Sequence, residues 1–205
     1  MTSSSENKKH WENVYETKNP DQVSWTQEKP QTSLELIRSF GLDKGAKIID
    51  IGGGDSNLVD YLLEEGYENI TILDISAKAL EKAKERLGSS ANTIKWIATD
   101  ITTFEPTETY DIWHDRAAFH FLTTPEQVSK YIDIAEKNIK GFMVLGTFSK
   151  NGPTKCSGLD IQQYDELSLT EKFEAGFEKI TCITEDHKTP FGTTQNFVFC
   201  TFKKP

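Results

Sequence analysis

The sequence predicts an α/β fold whose seven-stranded, mostly parallel sheet is covered by helices and ends in an antiparallel hairpin. Two observations support this prediction. Up to residue 148, short apolar or β-branched runs alternate with helical patterns, which is typical of parallel strands joined by helices. Near the C-terminus the pattern changes, because KITCITE and QNFVFCTF are strand-like runs joined by a Pro/Gly loop without any helical pattern.

The order of elements follows from hydrophobic periodicity and from helix start and stop signals. Five strands are predicted at AKIIDI, NITILDIS, TIKWIATDI, YDIWH and FMVLGTF. Among the helices between them, Ser76 fits the N-cap of one. Thr32 with Glu35, and Thr124 with Gln127, fit capping boxes at the starts of two others.

Length and composition limit the classes of partner. The 205 residues suit one domain spanning 1–205, and the net charge of -9 comes without a Lys/Arg-rich block. We therefore expect no nucleic-acid partner, and the absence of long apolar runs predicts a cytoplasmic protein with no membrane association. Cys182 and Cys200 lie in strand-like runs and are predicted to be separate core residues, not a disulfide. The sequence indicates no oligomeric state.

The stretch DIGGGDSNL, residues 50–58, joins a predicted strand to a predicted helix. Glycines at such a turn let the backbone approach a ligand, and the helix N-terminus favours an anion. Asp74 ends the next strand, at a distance from the glycines that suits a carboxylate binding the hydroxyls of a ribose. This arrangement serves either a dinucleotide or S-adenosylmethionine (SAM).

Three details argue against a dinucleotide. Asn57 stands where the G-x-G-x-x-G fingerprint requires its last glycine. No tyrosine is followed by lysine four residues later, so the short-chain reductase pair is absent. A single domain of this length also leaves no second domain for a hydride acceptor.

At these residues the chain resembles the class I SAM-dependent methyltransferases, which have a Rossmann-like three-layer sandwich fold. The similarity rests on Asp50 to Gly54, on Asp74, on Asp100 with Ile101, on YDIWHD and on the final hairpin; Ser56 replaces the usual third glycine. The resemblance implies that SAM is the cofactor, with S-adenosylhomocysteine as product. The residues implied to bind SAM are Trp11, Trp25, Asp50, Gly52, Gly53, Gly54, Asp74, Ile75, Asp100, Ile101 and His114. The glycines would hold its methionine end, Asp74 its ribose, and Asp100 with Ile101 its adenine.

The N-terminal segment suggests a narrower resemblance. Trp11 and Tyr15 form W-x-x-x-Y, and Trp25 ends a Val-Ser-Trp element, as in methyltransferases whose N-terminal arm folds over the cofactor. By this similarity residues 1–30 form such an arm, although the aromatic rings alone suit simple hydrophobic anchoring equally well. Some relatives of this layout methylate protein lysines. Others are bacterial enzymes with an HDRA-like element and small-molecule acceptors, and HDRAAFHFL is closer to these.

Polar residues follow the fourth strand abruptly. Ligands of parallel sheets lie at the carboxyl ends of the strands, so His114, Asp115 and Arg116 are predicted to face the acceptor as catalytic residues. Arg116 either binds an acidic acceptor or supports the loop. His120 fits the core better than a site, and no metal is expected because no further ligands occur at metal spacing. Residues 149–165 form a polar insert, a candidate lid that contains Cys156.

Three functions remain open from the sequence. The first is methyl transfer from SAM to a small molecule, and the second is methylation of a protein lysine. The third is a SAM-binding protein without catalysis. Nucleic-acid methylation is disfavoured, because Asp115 is followed by Arg116-Ala117 where the exocyclic-amine enzymes carry Pro-Pro.

Overall fold

The structure is a computed structural model, and it describes residues 4–205. The helices are α1 (Ser4–Thr17), α2 (Gln31–Ser39), α3 (Leu58–Glu64), α4 (Ala77–Leu87), α5 (Pro125–Asn138) and α6 (Glu166–Phe173). The strands are β1 (Lys47–Ile51), β2 (Asn69–Asp74), β3 (Lys95–Ala98), β4 (Tyr110–Arg116), β5 (Ile139–Phe148), β6 (Lys155–Cys156), β7 (Leu159–Asp160), β8 (Glu178–Lys188) and β9 (Thr194–Lys203).

Seven of these strands form one sheet in the order β3-β2-β1-β4-β5-β9-β8. Strands β1 to β5 run parallel, whereas β9 is antiparallel to both β5 and β8. This confirms the predicted fold class, including the C-terminal antiparallel hairpin. The strand order reverses direction between β1 and β4, and such a switch point leaves a crevice outside the carboxyl ends of the strands.

The sheet is packed on both faces, as its apolar strands predict. Along β1, Ile48 points into a cluster with α2, α3 and α4, and Ile49 points into a second cluster with α5 and α6. On β4, Ile112 and Trp113 divide between the same two clusters. Alternate side chains of a strand face opposite sides, so two layers of helices are needed to bury both sets.

The helix caps agree with the sequence at two of the three predicted positions. Ser76 Oγ accepts from Ala79 N at 3.2 Å, and Thr124 with Gln127 forms the predicted capping box of α5. The predicted capping box at Thr32 and Glu35 is wrong, because α2 already begins at Gln31. Leu34 N donates to Pro30 O, so Pro30 supplies the first carbonyl of the helix and Thr32 lies inside it.

The prediction that Cys182 and Cys200 are separate core residues is also wrong. The two residues lie directly opposite each other in the antiparallel pairing of β8 and β9, and their sulfur atoms form a disulfide. Their separation of 18 residues gave no sign of this, because hairpin register decides which residues face each other.

The polar insert has more structure than the sequence indicates. Strands β6 and β7 pair as a small two-stranded sheet, and helix α6 follows at once with Asp165 as its N-cap. Helix α6 was missing from the predicted elements, although it buries Leu169 and Phe173. None of the helices between residues 4 and 205 combines the length and the apolar character needed to cross a bilayer.

Candidate functional site

A cavity lies at the carboxyl ends of β1 to β4, with α1 forming part of its wall. All but one of the residues predicted to bind the cofactor line it: Trp11, Trp25, Asp50, Gly52, Gly53, Asp74, Ile75, Asp100, Ile101 and His114. Gly54 is the exception: it is buried, and a Cβ added to it would lie within 3 Å of Tyr15 and Asp74. Of the predicted catalytic residues, His114 and Arg116 line the cavity and Asp115 does not.

The glycine turn after β1 is closely packed. Gly52 has a φ of 67°, and its N–H donates to Leu73 O at 2.7 Å, which ties the turn to β2. A Cβ on Gly52 would lie 2.6 Å from the Cβ of Ala118, and one on Gly53 would lie 2.7 Å from Asp50 Oδ2. Side chains are therefore excluded, and the backbone itself forms the cavity floor.

Asp74 presents a buried carboxyl group to the cavity. Its Oδ1 accepts from Ser76 N at 2.8 Å. Burial raises the pKa of Asp74 to about 7, and the nearby carboxylates of Asp50 and Glu12 act in the same direction. A ligand that donates hydroxyl hydrogen bonds to this group would stabilise its ionised form.

Asp100 and Ile101 lie at the far end of the same edge, beyond β3. Asp100 Oδ1 accepts from Thr102 N at 2.8 Å, so the carboxylate caps the short turn that carries Ile101. Its Oδ2 accepts from Ser4 Oγ at 2.5 Å, which connects the start of α1 to this end of the cavity.

His114 has both ring nitrogens engaged. Nδ1 lies 2.6 Å from Asp50 Oδ1 on the neighbouring strand, and Nε2 lies 2.8 Å from Ser33 Oγ on α2. The side chain is buried together with both partners. His114 therefore lines the cavity as a group whose orientation is fixed by Asp50 and Ser33.

Asp115 points to the other face of the sheet. Its Oδ1 accepts from Ala118 N and Phe119 N, and its Oδ2 accepts from the Tyr131 hydroxyl at 2.8 Å. The carboxyl is fully buried, and burial raises its pKa to about 6. The structure thus gives Asp115 a role in holding the turn after β4 and does not bring it to the acceptor, because successive side chains of a strand alternate in direction.

Arg116 returns to the cavity face. Its Nη1 donates to the carbonyl oxygen of Trp25 at 3.0 Å, and its guanidinium lies over the ring of Phe197 at 4.6 Å. Burial lowers the pKa of Arg116 to about 10, so the side chain remains protonated at neutral pH.

Four aromatic rings close over the cavity from the N-terminal side. Trp11 contacts Tyr15, Trp25 and Phe121, with ring centroids 6.3, 5.5 and 5.1 Å apart. Phe121 belongs to the turn after β4, so these contacts connect the N-terminal segment to the strand that carries His114 and Arg116. Sequence reasoning singled out the first three rings and missed Phe121.

Glu12 was also missed, although it fixes α1 in place. Its carboxylate accepts from the N–H groups of Ala77 and Lys78 at 2.9 and 3.2 Å, and from the Ser76 hydroxyl at 3.1 Å. These donors form the N-terminus of α4, which favours a negative charge. The only sequence signal was its place beside Trp11 in the W-x-x-x-Y motif, on a helix otherwise rich in charge.

Two further residues discussed above, Cys156 and His120, lie in different places: the first in the cavity wall and the second in the core. The thiol of Cys156, in the insert, is buried in the cavity wall, and burial raises its pKa to about 12, so it is a neutral group there. His120 lies in the core, where Nδ1 accepts from Phe148 N and burial lowers its pKa to about 3. His114, Asp115 and His120 do not converge, and no cluster of His, Cys, Asp and Glu suited to a metal occurs within residues 4–205.

Comparison with known proteins defines the class. Residues 48–138 match the family described as "Methyltransferase domain". A SAM-dependent methyltransferase from Anabaena variabilis superimposes with a TM-score of 0.78 at 14% identity, covering 100% of this chain and 96% of that one. The N-methyltransferase NodS from Bradyrhizobium japonicum, bound to S-adenosylhomocysteine, gives a TM-score of 0.70 at 17% identity, covering 95% and 98%. The chain therefore has the fold of SAM-dependent methyltransferases, and its residues 48–138 are similar to a methyltransferase domain.

Three relatives are more similar in sequence. The chain is 33% identical over 126 residues to a malonyl-[acyl-carrier protein] O-methyltransferase from Anoxybacillus flavithermus, covering 58% of this chain and 47% of that protein. It is 27% identical over 121 residues to an eEF1A lysine and N-terminal methyltransferase from Mus musculus, covering 58% and 17%. It is 23% identical over 155 residues to a trans-aconitate 2-methyltransferase from Rhizobium leguminosarum, covering 75% and 55%. The chain thus spans about half, or less, of the length of these relatives.

Proposed function

We propose that the protein transfers a methyl group from SAM to a small-molecule acceptor. The observation that carries this proposal is one continuous cavity, which runs from Asp74 at the end of β2 to Arg116 at the end of β4. A cavity of this kind can hold the cofactor at one end and an acceptor at the other. One relative named for trans-aconitate supports a small acceptor.

The residues present suit SAM. Asp74 offers a carboxyl group for the ribose hydroxyls, and the backbone at Gly52 and Gly53 leaves room for the methionine end. Ile101 and Asp100 would lie at the adenine. When bound, SAM supplies an activated methyl group, so the chain's own residues need only bind, orient and exclude water. We propose residues 1–30, of which residues 1–3 lie outside the described part of the chain, as the arm over the cofactor, and residues 149–165, with Cys156, as a lid.

The acceptor would be oriented by the residues at the carboxyl end of β4. His114 is held by Asp50 and Ser33, so it presents a fixed wall to the acceptor. Arg116 is the charged group beside it. An acceptor that is already anionic needs no general base.

Methylation of a protein lysine is the second candidate. One relative is named for lysine and N-terminal methylation, and the net charge of -9 suits a basic partner. The W-x-x-x-Y and Val-Ser-Trp elements support this alternative, and the HDRA element supports the first. A cytoplasmic location remains part of both proposals.

One experiment separates these functions. The protein is incubated with SAM tritiated in its methyl group and a cell lysate divided into metabolite and protein fractions. Label in the metabolite fraction is the expected result, and label in a protein band that survives mild alkali, as N-methyl groups do and methyl esters do not, would establish the second candidate instead. If calorimetry shows equal binding of SAM and S-adenosylhomocysteine and neither fraction is labelled, the chain is a SAM-binding protein without this activity.

A further inference from the structure

The guanidinium of Arg116 is only partly used by the protein. Nη1 donates to Trp25 O, and the flat face lies on Phe197. Nε and Nη2 are inaccessible to solvent, and neither has a hydrogen-bond partner among residues 4–205. Buried polar atoms without partners are costly and rare in folded proteins, so two on one cation require an explanation.

No carboxylate of the described chain neutralises this cation by direct contact. Glu185 and Asp50 are the acidic residues whose charges act on it, but neither forms an ion pair or a hydrogen bond with it. Asp50 is bonded to His114, and Glu185 leaves its own Oε2 without a partner. The protein therefore holds a buried positive charge beside its cavity and leaves two of its donors unpaired.

The two free donors have a defined geometry. Nε and Nη2 lie on one edge of the planar guanidinium and can donate two parallel hydrogen bonds to the same group. Two donors and a single positive charge match a carboxylate, which has two coplanar oxygens and a single negative charge.

Arg116 also lies in the part of the cavity where an acceptor would bind. The sheet order places β3, β2, β1 and β4 side by side, so Asp100, Asp74, the glycine turn and Arg116 follow one another along the cavity. The first three are the groups proposed for the adenine, ribose and methionine parts of SAM. Arg116 lies beyond the methionine end, near enough to Cys156 for the two groups to interact electrostatically, and Phe121 lines the same cavity.

We propose that Arg116 binds a carboxylate of the acceptor through Nε and Nη2, which the acceptor reaches by displacing the groups that close these atoms to solvent, and that the acceptor is therefore a small carboxylic acid. This inference rests on the proposed function, because it assigns the acceptor class for the same cavity. A lysine ammonium would meet a buried positive charge at this point, and an uncharged acceptor would leave a desolvated cation without a partner.

The test compares acceptor pools sorted by charge. A metabolite extract is separated by ion exchange into anionic, neutral and cationic pools, and each is incubated with the protein and methyl-tritiated SAM. The anionic pool should be labelled, and the label should persist after the pool has been treated with phosphatase. Label confined to the neutral pool, the cationic pool or protein would overturn the inference, and so would loss of the label after phosphatase treatment.

Variants link the result to the residue. Arg116→Met should lower labelling at limiting acceptor by about tenfold or more, the loss expected for a charged hydrogen-bonded pair. Arg116→Lys keeps the positive charge but not the two parallel donors, so its labelling should lie between that of wild type and that of Arg116→Met. Arg38→Met is the matched control, because Arg38 pairs with Glu65 on the surface outside the cavity.

Two further readouts keep the outcomes distinct. Arg116→Met also removes the hydrogen bond from Nη1 to Trp25 O, so thermal unfolding and SAM affinity by calorimetry are measured beside the labelling, and the loss of labelling at limiting acceptor should exceed any loss of SAM affinity. Unchanged labelling in a folded Arg116→Met variant would overturn the assignment while leaving the proposed function intact. SAM binding with no label in any pool would contradict the proposed function, and the acceptor inference with it.

Discussion

Asp50 on β1 and His114 on β4 lie opposite each other in the parallel register, and Oδ1 of the first lies 2.6 Å from Nδ1 of the second. Both side chains are buried, and the second ring nitrogen is bonded to Ser33. The pair joins the glycine turn to the strand-four end.

We expect His114→Ala to lower the free energy of unfolding by about 1–3 kcal/mol, because it leaves the Asp50 carboxyl buried without its partner. SAM affinity should fall as well, since Asp50 adjoins Gly53. Denaturant unfolding and calorimetry measure the two effects. His114→Gln, which keeps a donor for Asp50, should recover part of both, and full stability of the alanine variant would contradict this role.

The raised pKa of Asp74 predicts a pH dependence of cofactor binding. Without SAM, the folded protein keeps this proton up to a pH of about 7, whereas the unfolded chain releases it near the ordinary value of 3.8. The contribution of Asp74 to stability therefore declines as pH rises between these two values. Ribose hydroxyls favour the carboxylate, so SAM should bind more tightly as pH rises through 7, with proton release.

Calorimetry in buffers of different ionisation enthalpy detects that proton. Asp74→Asn should weaken binding by about tenfold or more through loss of charged hydrogen bonds, and it should abolish the pH dependence. If the asparagine variant kept full affinity, the assignment of Asp74 to the ribose would be untenable.

The close packing at Gly52 predicts a large effect of a single methyl group. Gly52→Ala meets the Cβ of Ala118 at 2.6 Å and also forces alanine into a left-handed conformation. Gly41→Ala is a matched control, because Gly41 has a similar φ of 63° but no atom within 4 Å of the added Cβ. The control should lose about 1–2 kcal/mol from backbone strain alone. Gly52→Ala should lose more and should also lose SAM binding, measured by thermal shift with and without the cofactor.

Because Glu12 contacts the N-terminus of α4, we expect it to hold the N-terminal arm against the cavity. Glu12→Gln removes the charge that faces Ala77 N and Lys78 N, a contribution of about 1 kcal/mol. Limited proteolysis within residues 1–30 should become faster, and SAM should bind more weakly. Glu16→Gln is the control on the same helix, because Glu16 forms only an exposed ion pair with Lys78. Equal behaviour of the two variants would exclude a special role for Glu12.

The disulfide between Cys182 and Cys200 predicts a dependence on redox conditions. The denatured but unreduced protein should titrate with one free thiol, that of Cys156. Replacing both disulfide cysteines by serine should lower the free energy of unfolding by about 2–3 kcal/mol in oxidising buffer. In reducing buffer, wild type and the double serine variant should have nearly the same free energy of unfolding. If three free thiols were titrated in the protein before reduction, the disulfide would not form. A persistent disulfide would also argue against the predicted cytoplasmic location.

Several elements of the site could be read from local patterns. The strand, the three glycines and the following helix place Gly52 and Gly53 at the cavity floor, and Asp74 ends the next strand as expected. The alternation of a strand could also have separated Asp115 from its neighbours, since Trp113 and Asp115 share one face and His114 and Arg116 the other. That signal was present but was not used.

Other partners were beyond local reasoning because they lie far away in the chain. The Tyr131 hydroxyl donates to Asp115, and Ser33 Oγ is hydrogen-bonded to Nε2 of His114. Glu12, on α1, accepts from the N-terminus of α4. Such pairs form only when distant segments pack together, and residue type and spacing do not specify them.

The sequence by itself determined the alternation of strands and helices, the glycine turn and the acid after β2, because short-range periodicity and backbone freedom encode these features. Only the tertiary structure decided which ionisable side chains at the end of β4 have hydrogen-bond partners within the protein and which have donors without partners. His114 and Asp115 have their hydrogen bonds supplied by other elements, whereas Arg116 retains two free donors. The physical reason is that hydrogen bonding of a buried group depends on all elements packed around it, so the reactive or binding group is known only when the packing is complete.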